Sequence, residues 1–260
     1  MADTLFSTIE RLHADRPWGD VLDAGTGSHS LNWINSLSTR SWTAITGDDG
    51  RRDRMKQTFH EHIRPDDRIL SGNWTDPALL VGEAFDVVLA DYLLGALDGF
   101  APYFQDQLFA RLRRHVRDDG RLYVIGLAPY PDNADTPGGR IILEIARLRD
   151  ACILLAGHRC YREYPLKWVI RHIDRSGFTV QEARTVDILY GPRFINGQLD
   201  VCLRKLKYFQ DAELAQQMRQ HIEEVRARAL ALPSAQGNGI RFGQDYVLWA
   251  KPKQRKRTSK

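Results

Sequence analysis

Apolar residues fall at helical and strand spacings in turn along residues 4–127. Leu5, Phe6, Ile9 and Leu12 share one face of a predicted helix over Thr4–His13, with Asp3 or Thr4 as N-cap and Pro17 beyond its end. Strand-like runs follow at Asp20–Leu22, Ser41–Thr46, Arg68–Leu70 and Phe85–Ala90. The last is nearly all apolar, as expected of a central strand covered on both faces. Leu31, Ile34 and Leu37 give helical spacing to the segment opening at Ser28, and a basic helix is predicted over Arg51–His62. Leu108, Leu112 and Val116 point a further helix inward, with Arg111, Arg113 and Arg114 outward. Asp118-Asp119-Gly120 then stops it, and Arg121–Leu127 forms a fifth strand. Strands alternating with helices predict βαβ units and a parallel sheet.

The second half breaks this alternation. Residues 128–163 exceed what a connection needs: a loop of prolines, glycines and aspartates leads to a helix over about Arg140–Ala156, with Ile142, Ile145, Ala146 and Leu148 on its apolar face. A helix at Pro165–Ser176, a strand at Phe178–Val186, a long helical excursion and a final strand at Gln244–Ala250 follow. In the excursion Leu214, Met218, His221, Ile222, Val225 and Leu230 keep helical spacing, so His221 reads as structural. The predicted architecture is one doubly wound α/β domain over residues 1–250, with its core at about 18–127 and 164–250 and a helical insertion at about 128–163.

Composition narrows the class. With 43% hydrophobic and 27% charged residues in 260, the chain reads as globular and able to bury a large core. No apolar run approaches the roughly 20 residues of a membrane span, and no secretory leader is expected. Cys152, Cys160 and Cys202, odd in number and far apart, predict free, mostly buried thiols in a reducing, cytoplasmic setting, without a disulfide framework or metal site. The last ten residues hold six positive charges and no acid; without them the net +4 becomes −2 for residues 1–250. A nucleic-acid enzyme is expected to be basic on the face beside its site. Contact with nucleic acid is therefore expected only through residues 251–260, predicted as a disordered tail.

Candidate chemistry concentrates at Val21–Ser28, Val-Leu-Asp-Ala-Gly-Thr-Gly-Ser. A strand, two glycines and a helix N-terminus offer close backbone approach and free N–H groups to a small ligand at the carboxyl end of a first strand. A dinucleotide fingerprint wants a third glycine where Ser30 stands. Asp-x-Gly-x-Gly, from Asp23 to Gly27, instead resembles motif I of the class I S-adenosylmethionine-dependent methyltransferases, with His29 in place of that family's third glycine. Four further stretches extend the resemblance to about half the chain. Gly47-Asp48-Asp49 resembles the acid-tipped second strand, Gly72-Asn73-Trp74 the adenine-side turn with Asn73 for its acid, and Asp91-Tyr92-Leu93-Leu94-Gly95 motif IV. The Asp119-Gly120 turn into Arg121–Leu127 is similar to the family's Leu-x-Pro-Gly-Gly-x-Leu region, lacking its proline.

The resemblance implies a mostly parallel seven-stranded sheet with an antiparallel last strand. It also implies S-adenosylmethionine as cofactor, with S-adenosylhomocysteine as product. Cofactor contacts would come from Asp23, Gly25, Thr26 and Gly27, with Asp23 near the amino group of the methionine half. Asp49, or else Asp48, would accept the ribose hydroxyls, Asn73 would read the adenine edge, Trp74 would stack on the ring, and Asp91 would line the methionine end. Each has a structural alternative: an αβ turn for the glycines, a turn before the basic helix for Asp48 and Asp49, a helix-capping turn into Thr75–Val81 for Asn73 and Trp74, and a turn with a packed aromatic for Asp91 and Tyr92. Tyr92, His158 and Arg193 are candidate acceptor contacts, with 128–163 as a lid. No catalytic base is identified. The Asn/Asp-Pro-Pro-Tyr motif of amino-group methylation on nucleobases and glutamine is absent, since Asp91-Tyr92-Leu93 stands there. The expected activity is in-line methyl transfer to a small-molecule oxygen or nitrogen nucleophile. The alternatives are an RNA or protein methyltransferase using the tail, an NAD-dependent oxidoreductase, and a non-catalytic scaffold.

Overall fold

The computed structural model describes residues 4–254. Helix α1 (Thr4–His13) ends at Ala14, which turns left-handed at φ 53°, and the chain enters β1 (Asp20–Asp23). Helices and strands then alternate through α2 (Ser28–Ser36), β2 (Ser41–Thr46), α3 (Asp49–Phe59), β3 (Arg68–Ser71), β4 (Phe85–Asp91), α4 (Leu93–Phe100), α5 (Gln105–Arg113) and β5 (Val116–Leu127). Beyond them come α6 (Pro137–Leu155), α7 (Leu166–Arg175), β6 (Phe178–Tyr190), α8 (Pro192–Lys205), α9 (Ala212–Leu230), the single turn α10 (Pro233–Gln236) and β7 (Ile240–Pro252). β1 pairs in parallel with β2 on one side and β4 on the other, Leu22 lying opposite both Thr43 and Val88. The strand order is β3-β2-β1-β4-β5-β7-β6, six strands parallel and the last antiparallel.

Two compact units divide the chain. The first comprises residues up to 127, 163–186 and from 246 onward; the second comprises 128–162 and 187–245. In the first unit β4 explains why its sequence lacks alternation. Val87 and Leu89 pack with Val21, Tyr123 and Ile125 under Phe6 and Ile9 of α1, Leu31 and Ile34 of α2 and Met55 of α3. Val88 and Ala90 pack on the other face with Leu94 and Leu97 of α4, Leu108 and Leu112 of α5 and Val169 of α7. Each buried aliphatic side chain contributes about 1.5–3 kcal/mol, so neither face tolerates a polar residue cheaply. The second unit has its own core, where α6, α8 and α9 bring together Ile142, Ile145, Leu199, Ile222 and Val225. Cys152 and Cys202 belong to it, and all three cysteines are free and buried.

Several sequence expectations change; Val116, expected to end a helix, opens β5, which also takes in Asp118-Asp119-Gly120. Arg111, expected to face outward, is 8% exposed, because its guanidinium donates to the carbonyls of Asp76 (3.1 Å) and Leu79 (2.6 Å). It thereby ties down residues 75–81, a run of turns where one of the two readings had a helix. Residues 187–245 join 128–162 in one helical unit, whereas the sequence suggested an insertion of 128–163 alone. Lys251 and Pro252, expected in a disordered basic tail, complete β7; residues 255–260 of that expected tail lie outside the described residues. Among the described residues no helix is long and apolar enough to cross a membrane.

The amino edge of the sheet is fastened by charge. Asp20 is bound by Arg40, by Arg117 at 2.8 Å and by the Ser41 hydroxyl at 2.9 Å, and Asp86 accepts the Asp20 N–H at 2.8 Å. Hydrogen bonding by Arg40, and then by Arg117 and Ser41, holds the Asp20 carboxyl well below the usual carboxylate range. A lowered acid stabilises the fold above its unfolded value near 3.8, and that contribution is lost as pH falls toward the lowered one. Gly19 supplies the room: at φ 60°, a Cβ there would stand 2.1 Å from the Asp86 carboxylate. Gly19→Ala is expected to destabilise the protein by about 1–3 kcal/mol in urea denaturation, through left-handed strain and displacement of Asp86. A change below about 0.5 kcal/mol would contradict this.

Candidate functional site

Two backbone hydrogen bonds build the carboxyl edge of β1. The Ala24 N–H donates to Leu89 O on β4 at 2.8 Å, and the Thr26 N–H donates to Ile45 O on β2 at 2.7 Å. The loop from Asp23 to Gly27 therefore bridges β2 and β4 where the strand order reverses, which is where open α/β sheets bind ligands. Ser30 caps α2: its hydroxyl accepts from the Gly27 N–H and donates to the Gly27 carbonyl, both at 3.1 Å. The position that denies the dinucleotide fingerprint its glycine thus serves the helix.

The paired glycines do different things, and neither has a left-handed backbone. A Cβ on Gly25 would meet Leu93 Cδ1 at 2.8 Å, so this glycine lets α4 pack on the loop. On Gly27 it would meet only the Arg51 guanidinium, at 3.2 Å. Gly27 leaves the backbone bare toward the sheet edge.

Beneath this loop Asp23 is fully buried, and neither carboxylate oxygen has a hydrogen-bond partner. Burial pushes its carboxyl up to about 6 from an ordinary 3.8. The hydroxyls of Ser30 and Thr26, the Gly25 N–H and the charge of Arg51 draw it partway back, although none reaches hydrogen-bonding geometry. Both hydroxyls are turned instead to Gly27 O. An unneutralised carboxylate in a dry interior projects its field across the thin glycine backbone.

The neighbouring strand tips carry the remaining candidates. Asp48 N-caps α3, accepting the Arg51 N–H at 2.5 Å, and Asp49 pairs with Arg52 at 2.5 Å; their side chains are 54% and 75% exposed. Asn73 spends its amide within the protein. Its Oδ1 accepts from the Thr75 N–H (3.0 Å) and hydroxyl (2.9 Å), and its Nδ2 donates to Phe100 O at 2.6 Å. Trp74, expected to stack on a ligand, is 3% exposed and braces the loop by donating its indole N–H to Ala24 O at 2.7 Å. Its ring lies against Arg111 and His115, so no face is presented to the edge. Asp91 ends β4, and Tyr92 follows in the left-handed region at φ 47°, an outlying conformation for an aromatic residue.

The structure thus gathers Asp23, Gly25, Thr26, Gly27, Asp48, Asp49, Asn73, Asp91 and Tyr92 along one sheet edge of the first unit. His158 and Arg193 belong to the second unit, both exposed, with His158 3.4 Å from Lys205 Nζ and edge-on to Tyr208. Sequence reasoning missed Arg51 above Gly27 and the aromatic ring of Phe100 above Gly47. Neither has a spacing signal, because both arrive from helices distant in sequence.

No family model matches the sequence, and no curated protein matches it. Solved structures do. One is a Bacillus halodurans C-125 protein provisionally named a methyltransferase, with a TM-score of 0.62 at 13% identity, over 96% of this chain and 99% of that one. Another is an S-adenosylmethionine-dependent methyltransferase from Geobacter sulfurreducens in complex with S-adenosylhomocysteine, with a TM-score of 0.54 at 13% identity, covering 97% and 92%. The chain has the methyltransferase fold. The cyclopropane synthase MmaA2 from Mycobacterium tuberculosis shares it, with a TM-score of 0.54 at 16% identity over 91% and 79%. The shared fold spans different activities, so function must be read from this chain's own residues.

Because its carboxyl is raised, Asp23 binds a proton more tightly in the folded protein than in the unfolded chain. Its stabilising contribution is present below about pH 3.8 and is lost as pH rises to about 6. Asp23→Asn is therefore expected to be more stable than wild type at pH 7.5, by on the order of 1–3 kcal/mol, and to lack the decline between pH 4 and 6. Urea denaturation across that range checks both; equal profiles would show that Asp23 carries no such cost.

Proposed function

We propose that this chain is an S-adenosylmethionine-dependent methyltransferase acting on a small-molecule oxygen or nitrogen nucleophile. Asp23 carries the reading: a buried carboxylate with no hydrogen-bond partner in the protein, close to a glycine, Gly27, that only the Arg51 guanidinium approaches. Such a charge suits a cationic ligand, and S-adenosylmethionine is cationic at its sulfonium and its ammonium. The same charge opposes a pyrophosphate, which disfavours NAD on this loop. The exposed carboxylates of Asp48 and Asp49 suit the two ribose hydroxyls as charge-assisted acceptors. The Geobacter structure, solved with S-adenosylhomocysteine, supports the choice of cofactor.

When bound, S-adenosylmethionine supplies an electrophilic methyl group. The chain's part is alignment, bringing the nucleophile to about 3–3.5 Å from the methyl carbon and in line with the breaking bond. Asp91 is assigned to the methionine end and Tyr92, next to it, to the acceptor. Tyr92 is held by its N–H bond to Ile125 O at 3.0 Å. His158 and Arg193, the other candidate acceptor contacts, are exposed polar groups of the second unit. The net −2 of residues 1–250 favours a small acceptor over nucleic acid.

Titration calorimetry tests the assignment. S-adenosylmethionine and S-adenosylhomocysteine are expected to bind, and NAD is not. Gly27→Ala should weaken S-adenosylhomocysteine about tenfold while shifting stability by less than about 0.5 kcal/mol, since only the mobile end of Arg51 stands near the new methyl. Binding of NAD alone, or of neither cofactor at millimolar concentration, would reverse the assignment.

A further inference from the structure

Phe100, the last residue of α4, is 41% exposed. Its ring rests on the backbone of Gly47, where a Cβ would stand 2.5 Å from Cδ1 and 2.9 Å from Cγ. Gly47 has no left-handed φ, so this close approach is what requires a glycine there. Gly47 joins β2 directly to Asp48 and Asp49. From the tip of β3, Asn73 donates to the Phe100 carbonyl at 2.6 Å, and its other side-chain atom is fixed by Thr75. The end of α4 is locked at the point where the ring leaves the chain.

A single exposed aromatic ring needs no explanation on its own. This one is backed by bare backbone, anchored by an amide from the next strand, and set beside the two carboxylates suited to a ribose. A ring that rests on peptide and is still 41% exposed offers a stacking surface for a flat aromatic group. Trp74 is enclosed by the core and cannot supply one.

We infer that Phe100 is the platform on which the purine base of the bound nucleoside stacks, and that Asn73 is a positioning residue acting through the Phe100 carbonyl. The inference rests on the proposed cofactor. It reassigns both residues of the Asn73-Trp74 turn: the amide orients the platform, and the indole braces the loop at Ala24. Base-on-aromatic stacking corresponds to roughly 5- to 100-fold in affinity per base.

Calorimetry on the full chain, with S-adenosylhomocysteine and adenosine as probes, tests it. Phe100→Ala is expected to weaken both by about tenfold or more, and Phe100→Trp to stay within about threefold of wild type. Phe100→Leu, which keeps an apolar contact on Gly47, guards against a folding defect and should also bind weakly while its thermal unfolding matches wild type. Asn73→Ala should weaken binding in the wild-type background and add nothing to Phe100→Ala. Undiminished binding by folded Phe100→Ala or Phe100→Leu would overturn the platform and leave the cofactor assignment standing. Additive losses in the double variant would overturn the positioning role. Absence of S-adenosylhomocysteine binding by wild type would overturn the cofactor assignment and this inference together.

Discussion

The structure turns on how β1 ends. Its continuation is shared between two neighbours, Ala24 bonding to β4 and Thr26 to β2, so the loop after Asp23 spans the reversal of strand order between β1 and β4. That sharing draws Asp23 fully inside while directing the nearby hydroxyls of Thr26 and Ser30 toward Gly27. A buried carboxylate normally finds partners, because stripping it of water is costly. Here the loop denies it any, and the remainder of the sheet supplies the stability that tolerates this.

Set against that orphan charge, several other polar groups at the sheet edges are satisfied. Asp20 and Asp86 are held by Arg40 and Arg117 at the amino edge, Asn73 is consumed by Thr75 and Phe100, and the Trp74 indole is bonded to Ala24. The unpartnered acid, Gly27 with only the Arg51 guanidinium near it, the exposed Phe100 ring and the exposed pair Asp48 and Asp49 lie in one unit, along one edge. A cationic nucleoside would meet each of them with a complementary group. Proteins that keep such local costs commonly keep them where ligands bind.

Much of this was legible in the sequence because periodicity reports burial. The unbroken apolar run of β4 predicted a strand covered on both faces, and Val87 and Val88 do face opposite cores. Asp-x-Gly-x-Gly located the loop, but it could not say that Gly25 serves Leu93 while Gly27 stays bare, since both glycines look alike in one dimension. Arg111 was misplaced because charge suggests solvent, whereas a guanidinium can collect the carbonyls of a turn thirty residues away. Trp74 was read as a stacking ring since aromatic residues near a ligand motif invite that reading; its N–H to Ala24 depends on a tertiary contact across 50 residues. The extent of the second unit escaped for the same reason, as α6 meets α8 and α9 only after the chain has passed through α7 and β6.

The central claim is that the Asp23 charge is reserved for a positive ligand. If so, binding S-adenosylmethionine should lower the raised carboxyl and expel its proton, which makes affinity and proton release two readings of one interaction. Calorimetric titration at pH 6 in two buffers of different ionisation enthalpy measures that release. About half a proton per molecule bound is expected for wild type, and none for Asp23→Asn. Equal release by both proteins, or no release by wild type, would contradict the account.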